Sequence, residues 1–364
     1  MDSDPIHGFK PRGIGVVRDT AFGLTRRGAA PKIHEFFLRF DAVKLEQLYS
    51  LIGSDMQAVD AVIRRRLHSE VVLVRQVAEY IIQSGGKRLR PALVLLAAGA
   101  LGYRGTRQHE LAAVIEFIHT ATLLHDDVVD ESNLRRGRET ANALFGNAAS
   151  VLVGDFLYSR AFQMMVEVDD MRIMRVLSDA TNIIAEGEVL QLMNCHDTNV
   201  DEVRYLQVIR YKTAKLFEAA AQLGAIIGGG SRKIEQGMAD YGMHLGTAFQ
   251  LIDDVLDYSG AEVETGKHLG DDLAEGKPTL PLIYVMQHGT PEQASCVREA
   301  IKNGGENDFQ AVLAAIHATG ALEHARRCAQ AEASLARAAL EELPASTYKD
   351  SLLELCLFAV ARSF

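Results

Sequence analysis

Two clusters of aspartates, each set in an apolar stretch, are the residues of this sequence best suited to do chemistry. Residues 123–130 read Leu-Leu-His-Asp-Asp-Val-Val-Asp, and residues 251–257 read Leu-Ile-Asp-Asp-Val-Leu-Asp. On a helix, the first and third aspartates of each cluster stack one turn apart, while the middle one points sideways. The carboxylates are Asp126, Asp127, Asp130, Asp253, Asp254 and Asp257.

Carboxylates grouped in an apolar helix repel one another and lose hydration, so a cation is needed to neutralise them. Hard oxygen ligands favour Mg²⁺, which keeps several waters and bridges carboxylates to substrate phosphates. One cluster alone could equally be a solvated acidic face. Two clusters with apolar flanks favour an interior metal site and predict a phosphate ester as substrate.

Basic residues follow or precede the first cluster in positions that could bind those phosphates. Residues 85–91 read Gly-Gly-Lys-Arg-Leu-Arg-Pro, and Arg135 and Arg136 come shortly after Asp130. Arginine binds phosphate oxygens with two parallel hydrogen bonds, and lysine acts as a point charge. The 85–91 segment could also be a loop before a helix, with Pro91 in the first turn and its cations solvated.

Helices are predicted to position all of these residues. The chain has 364 residues, of which 48% are apolar, with only eight prolines and no tryptophan. Residues 60–83 and 310–343 have helical apolar spacing, whereas alternating strand patterns are rare. We therefore expect an all-α fold, a large antiparallel helical bundle around a central cavity.

The chain is predicted to form one domain over residues 41–364, because no linker rich in Pro, Gly or Ser divides it. Residues 1–40 are basic, with scattered Gly and Pro, and are expected to be a disordered extension without a catalytic role. A start codon placed too far upstream and an organelle-targeting segment are the alternatives, and the early acids Asp2 and Asp4 argue against targeting.

Charge and hydropathy exclude several classes of partner. A formal net charge of −10 opposes binding to nucleic acid or to an anionic membrane. The longest apolar run, 92–101, is half of a membrane span, and no signal peptide is evident. The four cysteines match no metal spacing and suit a reducing cytoplasm. At most, peripheral contact with a membrane is expected.

Seven motifs, in this order, resemble those of trans-isoprenyl diphosphate synthases, and most closely those of bacterial octaprenyl diphosphate synthases. They are GGKRLRP, HTATLLHDDVVDESNLRRGRETAN, GDFLYSRAF, AEGEVLQL, KTAKLFEAA, GTAFQLIDDVLDY and GKHLGDDLAEGKPTLPL. The resemblance extends from about Asp41 to the end of the sequence. It implies an isoprenoid synthase fold, a homodimer and several Mg²⁺ ions in each active site.

The resemblance also implies a role for each matching residue. The six aspartates would hold Mg²⁺ against an allylic diphosphate. The ligands of that diphosphate would be Arg135, Lys212, Thr213, Gln250, Lys267 and Lys277. Isopentenyl diphosphate would be bound by Lys87, Arg90, His119 and Arg136. The residues acting directly in catalysis would be Asp126, Asp127, Asp130, Lys212, Asp253 and Asp254.

The implied reaction is the Mg²⁺-dependent condensation of isopentenyl diphosphate with an allylic diphosphate, farnesyl diphosphate, to a long all-trans product. That product would be octaprenyl diphosphate, destined for the ubiquinone side chain. No protein nucleophile is needed, because metal ions and cations stabilise the departing diphosphate.

Ala121 is predicted to influence product length. It precedes Asp126 by about one and a half helical turns, on the wall along which a growing chain would extend. Relatives that make short products often carry an aromatic residue there, so a small residue indicates a long product. Ala121 could also be simply a good helix former in a tight contact.

Three other functions remain as alternatives. The neighbouring His125 and Asp126 could belong to a phosphohydrolase metal site, although no second His/Asp set is evident. A terpene cyclase shares metal-assisted ionisation, but it needs no isopentenyl diphosphate site. A non-catalytic partner subunit could lose its aspartates without penalty, so the six that are retained favour catalysis.

Overall fold

Helices make up almost all of the regular structure, and the all-α prediction is confirmed. The computed structural model describes residues 43–83, 85–135, 137–259, 269–305 and 308–362. The predicted extension over residues 1–40 and two predicted ligands, Arg136 and Lys267, lie outside these described residues.

The elements follow one another along the chain with short connections. Those of the first half are α1 (Val43–Arg66), α2 (Val72–Gln83), α3 (Leu89–Ala100), α4 (Arg107–Val129), β1 (Leu134–Arg135), β2 (Arg138–Glu139), α5 (Ala141–Phe145), α6 (Asn147–Val168) and α7 (Met171–Asn194). Those of the second half are α8 (Glu202–Ile209), α9 (Lys215–Ile227), α10 (Arg232–Ser259), α11 (Asp271–Ala274), α12 (Leu280–His288), α13 (Pro291–Asn303), α14 (Phe309–Thr319), α15 (Ala321–Ala339) and α16 (Thr347–Ala361). Among the described residues, no helix is both long and apolar enough to cross a membrane.

Both segments predicted to be helical are interrupted. The first breaks over residues 67–71, between α1 and α2. The second breaks at Gly320, whose φ of 71° is a left-handed conformation that glycine adopts at helix ends. Helical apolar spacing continues on both sides of each break, so the spacing alone does not reveal it.

Two hydrophobic cores share α10. The first core includes buried residues of α3, α4, α6 and α9, and the second includes those of α12 to α15. The first half of α10 contributes Tyr241 and Leu245 to the first core, whereas Leu251 and Val255 belong to the second. The second aspartate cluster therefore lies on the part of α10 that packs on the second core.

A π-helical turn, Arg210–Ala214, joins α8 to α9 and packs closely between α7 and α10. A Cβ atom at Gly187 of α7 would lie only 2.6 Å from the backbone nitrogen of Lys212. One at Gly246 of α10 would lie 2.6 Å from Cα of Ala214. Glycine at these two positions lets the three elements approach, and this approach brings Lys212 beside α7.

Candidate active site

A cavity of about 740 Å³ brings the two aspartate clusters together. All six predicted aspartates line it, although α4 and α10 supply them from different parts of the chain. The predicted substrate ligands that also line it are Lys87, Arg90, His119, Arg135, Lys212, Thr213, Gln250 and Lys277.

In the first cluster, Asp126 and Asp130 contact lysines, whereas Asp127, between them in sequence, contacts an arginine. Asp126 and Asp130 each have a lysine partner, with Lys212 Nζ 3.6 Å from Asp126 Oδ2 and Lys277 Nζ 3.0 Å from Asp130 Oδ2. Asp127 points elsewhere and accepts hydrogen bonds from Arg135, whose Nε and Nη2 lie 2.7 Å and 2.6 Å from its Oδ1. Arg135 is positioned by the short β1–β2 hairpin that follows α4.

The chemistry of this cluster fits a divalent cation. The side chain of Asp127 is fully buried, and its Oδ2 has no hydrogen-bond partner among the described residues. A buried carboxylate oxygen without a partner is costly, and a metal ion would satisfy it. All the candidate donors are carboxylates, which Mg²⁺ prefers.

Lys212 lies between two carboxylates. Its Nζ is 2.6 Å from Glu188 Oε2, in addition to its contact with Asp126. Burial raises the pKa of Asp126, and it raises the pKa of Glu188 to about 7, although Lys212 opposes both shifts. Burial alone would lower the pKa of Lys212, but Asp126 and Glu188 raise it above its usual value. Lys212 is therefore a cation in this site.

Lys277 is a second permanent cation. Burial would lower its pKa, but Asp130, Asp272 and Glu275 raise it well above the usual value for lysine. Lys277 also forms an ion pair with Glu275, at the end of the short segment that contains α11. The two lysines thus provide fixed positive charge on either side of the first cluster.

The second cluster is held by polar side chains from three elements. Tyr205 of α8 donates a hydrogen bond of 2.5 Å to Asp254 Oδ2, and Gln250 Nε2 donates one of 2.9 Å to Oδ1. Thr213 Oγ1 in turn donates to Gln250 Oε1 at 3.1 Å. Burial, followed by the nearby Asp272, raises the pKa of Asp254 to about 8. A cation at this cluster would remove that penalty on the charged form.

The 85–91 segment is a loop before a helix, as one interpretation of the sequence predicts, and it also brings cations to the cavity, as the other predicts. It is a loop before α3 with Pro91 in the first turn, and Gly85 and Gly86 have positive φ values of 75° and 143°. Nevertheless Lys87 and Arg90 line the cavity.

Aromatic rings and a histidine hold these two cations. Arg90 Nη1 lies 3.2 Å from His119 Nε2, and the Arg90 guanidinium lies over the ring of Phe217 at 4.4 Å. Lys87 Nζ lies 5.0 Å from the centre of the Phe358 ring. Ring faces attract such cations without neutralising their charge.

The residues that line the cavity without a role in the sequence analysis include Glu188, Tyr205, Asp272 and Arg362. Glu188 lies in the AEGEVLQL motif, so the resemblance to the family could have indicated it as a site residue. The contacts of Tyr205 and Arg362 with the second cluster join distant parts of the chain, and spacing in sequence does not indicate them.

Ala121 is fully buried in the first core. Its neighbours Thr120 and Thr122 line the cavity, whereas Ala121 is not among the described lining residues. The proposed influence of Ala121 on product length stays a prediction.

His125 faces α6 rather than the two aspartate clusters. Its Nε2 lies 3.2 Å from the carbonyl oxygen of Val151 and 3.4 Å from Oδ1 of Asp155. This orientation argues against a phosphohydrolase site built on His125 and Asp126.

The sequence of this chain is similar to those of several known proteins. A family model described as polyprenyl synthetase matches residues 71–317. An octaprenyl diphosphate synthase of Escherichia coli (strain K12) is 54% identical over 321 residues, which cover 88% of this chain and 99% of that protein. An octaprenyl diphosphate synthase of Haemophilus influenzae is 50% identical over 325 residues, covering 89% of this chain and 99% of that protein.

Solved structures of polyprenyl synthases are also similar to this structure. The crystal structure of a polyprenyl synthase from Caulobacter crescentus, complexed with calcium and isoprenyl diphosphate, has a TM-score of 0.85 at 45% identity. It covers 88% of this chain and 98% of its own.

Proposed function

Since the chain belongs to the polyprenyl synthetase family, whose members are chain-elongating trans-prenyltransferases, we propose that it makes octaprenyl diphosphate. The substrates are isopentenyl diphosphate and an allylic diphosphate, farnesyl diphosphate. The product is the precursor of a quinone side chain. Mg²⁺ is the proposed metal, held by the six aspartates.

One observation carries this proposal: a single cavity contains both carboxylate clusters and, separately, Arg90 with His119. A prenyltransferase needs places for two diphosphates, of which one leaves and one stays. The carboxylates with Lys212 and Lys277 suit the diphosphate that leaves, and Lys87 and Arg90 suit the other. A terpene cyclase has no use for this second group of cations.

The residues of the cavity suit ionisation of the allylic diphosphate. Bound Mg²⁺ supplies Lewis-acid stabilisation of the charge that develops on the leaving group. Lys212 and Lys277 add fixed positive charge beside Asp126 and Asp130. Arg90 and Lys87 hold isopentenyl diphosphate so that its double bond forms a carbon–carbon bond with the allylic cation. The resulting cation then loses a proton to the released diphosphate, which leaves the lengthened diphosphate chain as product.

Water must be kept away from the allylic cation, and the apolar part of the wall serves this purpose. The apolar side chains that line the cavity include Leu123, Ile184, Leu216, Phe217, Phe249 and Leu256. The rings of Phe217 and Phe249 also stack against Arg90 and Arg362, so the apolar and cationic walls adjoin.

The octaprenyl product is proposed from the relatives. The two proteins 54% and 50% identical to this chain are octaprenyl diphosphate synthases. A relative from Rhodobacter capsulatus, 45% identical, is an all-trans-nonaprenyl-diphosphate synthase specific for geranyl diphosphate. The number of units and the starter therefore vary within the family, and both have to be measured.

A homodimer is proposed from the exposed apolar residues of α6 and α7. Leu152, Val166, Val189, Leu192 and Met193 are each 57–69% exposed. The two helices contact each other, and exposed large apolar side chains commonly mark a protein–protein interface. The polyprenyl synthase family implies a second copy as the partner.

Product analysis by mass spectrometry tests the function. The purified protein is incubated with isopentenyl diphosphate, Mg²⁺ and either farnesyl or geranyl diphosphate, with a chelator in a parallel reaction. A chelator-sensitive product of eight isoprene units is expected with farnesyl diphosphate. A different length would contradict the octaprenyl assignment alone, whereas no condensation with either starter would contradict the transferase.

A further inference from the structure

A second group of metal-binding side chains lies outside the lining of the catalytic cavity. Glu202, His324 and Cys328 place one ligand atom each within 4.8 Å of one another. His324 Nε2 is 3.6 Å from Cys328 Sγ and 3.8 Å from Glu202 Oε2. Spacing along the chain does not reveal this group, because Glu202 belongs to α8 and the other two residues to α15.

The geometry of α15 keeps two of these ligands together. His324 and Cys328 are four positions apart on one helix, so they lie on the same face one turn apart. The imidazole is further fixed by stacking on the ring of Tyr284 in α12, with centroids 4.4 Å apart and an interplanar angle of 24°. Tyr284 also stacks on His288 of its own helix, at 4.1 Å.

Two of the three separations between the ligand atoms are close to those expected around a tetrahedral metal ion. Zinc bonds of about 2.3 Å to sulfur and about 2.0–2.2 Å to nitrogen and oxygen put neighbouring ligand atoms about 3.3–3.6 Å apart. The two measured separations of 3.6 and 3.8 Å are close to this range. The third separation, between the ligand atoms of Glu202 and Cys328, is within 4.8 Å, so side chains would have to move closer together when a metal binds.

We propose that Glu202, His324 and Cys328 bind Zn²⁺ in a site distinct from the catalytic carboxylates. The thiol and imidazole favour zinc over Mg²⁺, which prefers oxygen ligands. On binding, the metal takes the place of the thiol proton, which passes to solvent. Three protein ligands leave a fourth position for water.

The consequence of binding is a link between α8 and α15. Glu202 is the first residue of α8, and Tyr205 in the same helix donates the hydrogen bond to Asp254. A metal at the beginning of α8 therefore fixes the helix that holds the second aspartate cluster. Zinc stabilises the fold because it binds the native arrangement of three residues that are apart in the unfolded chain.

Cobalt(II) is the best probe, because a cobalt–thiolate bond gives a charge-transfer absorption band that carboxylate sites do not give. The full-length protein is titrated with Co²⁺ in excess Mg²⁺, which occupies the carboxylate clusters. One equivalent of Co²⁺ is expected to produce the band, and Zn²⁺ is expected to remove it. In parallel, Zn²⁺ should raise the melting temperature of the wild type.

Matched variants identify the ligands. Cys328→Ser should abolish the band, and Glu202→Gln should weaken Co²⁺ binding by about tenfold or more. Cys296→Ser, which changes a half-buried cysteine of α13, should leave the band unchanged, and circular dichroism verifies that each variant is folded. The proposal is wrong if wild type gives no thiolate band, or if the band persists in Cys328→Ser. It is equally wrong if the band is lost in Cys195→Ser, a change at a cysteine near Lys277 and Asp130.

Discussion

Arg362 forms an ion pair with Asp253 of the second aspartate cluster, with Nη1 2.8 Å from Oδ1. Its Nη2 donates to the carbonyl oxygen of Phe249 at 2.7 Å, and the guanidinium stacks on the Phe249 ring at 3.6 Å. The Arg362 side chain is only 5% exposed, whereas that of Asp253 is 40% exposed toward the cavity side of the pair. This residue after α16 therefore fixes one edge of the catalytic cavity.

Replacing Arg362 by Met should lower the free energy of unfolding by about 1.5–3 kcal/mol, because charge-assisted hydrogen bonds are lost. Mg²⁺ should then stabilise the variant more than it stabilises the wild type, since Asp253 no longer has to leave an ion pair. Urea unfolding with and without Mg²⁺ measures both effects. Arg327→Met, at an exposed arginine of α15, is the control and should change little. An unchanged stability in Arg362→Met, or a weaker response to Mg²⁺, would contradict this account.

Asp126 and Asp127 should respond differently to the same substitution. Asp126→Asn should reduce turnover about 100- to 1000-fold, the scale for losing one stabiliser of transition-state charge. It should not destabilise the metal-free protein, since burial already disfavours the Asp126 carboxylate and raises its pKa. Steady-state kinetics measure the loss of turnover, and thermal unfolding without metal measures the stability.

Asp127→Asn should reduce turnover and also lower the free energy of unfolding by about 1.5–3 kcal/mol. The reason is that Arg135 loses the partner that lies 2.6 Å away. Thermal unfolding without metal compares the two variants directly. Equal stability of the two variants would show that the ion pair between Asp127 and Arg135 does not stabilise the fold.

Ala121→Tyr should shorten the product while condensation continues. Because Ala121 is fully buried, the larger side chain must displace neighbours, at a cost of about 1–3 kcal/mol. We expect the ring to enter the cavity that the adjacent Thr120 and Thr122 line. Ala300→Tyr, an equally buried change in the second core, should destabilise the protein without changing product length. Mass spectrometry of the products distinguishes the two. Unchanged length in Ala121→Tyr would remove Ala121 from the determinants of chain length.

Leu192→Glu should dissociate the proposed homodimer. Leu192 is 62% exposed on α7 beside the exposed Met193, so a charge there would be buried at the interface. Leu335→Glu, at a position of α15 that is 50% exposed, is the matched control and should not alter the oligomer. Light scattering coupled to size-exclusion chromatography gives the mass of each. A wild type that is monomeric at micromolar concentration would exclude the dimer outright.

The sequence predicts the helical class correctly because that class depends on local patterns, and the position of the aspartates on helices depends on the same patterns. Carboxylates one turn apart on a helix need only helical geometry, and α4 and α10 provide it. The pairing of Asp130 with Lys277 and of Asp253 with Arg362 depends on how distant helices pack, which one sequence does not reveal. The break at Gly320 is missed for a different reason, since helical spacing resumes directly after it.

Glu332 links two elements of the active site from α15, and its contribution to stability should depend on pH. It accepts a hydrogen bond from Arg210 Nη2 at 2.9 Å and contacts His244 Nδ1 at 2.6 Å. Arg210 begins the π-helical turn that carries Lys212, and His244 belongs to α10. Burial alone would raise the pKa of Glu332, but its bonds with His244 and Arg210 hold the pKa below the ordinary value of 4.5.

A carboxyl group with a lowered native pKa stabilises the fold above its unfolded pKa, and this contribution is lost as the pH falls through the native pKa. Glu332→Gln should therefore reduce the free energy of unfolding by about 1–3 kcal/mol at pH 7. The difference from wild type should shrink once the pH falls below 4.5. Glu323→Gln, an exposed change on the same helix, should stay within about 0.5 kcal/mol at every pH. Urea unfolding from pH 7 down to about pH 3 measures this dependence, and a difference that fails to shrink below pH 4.5 would show that the ionised Glu332 carboxylate is not what joins the π-helical turn to α10.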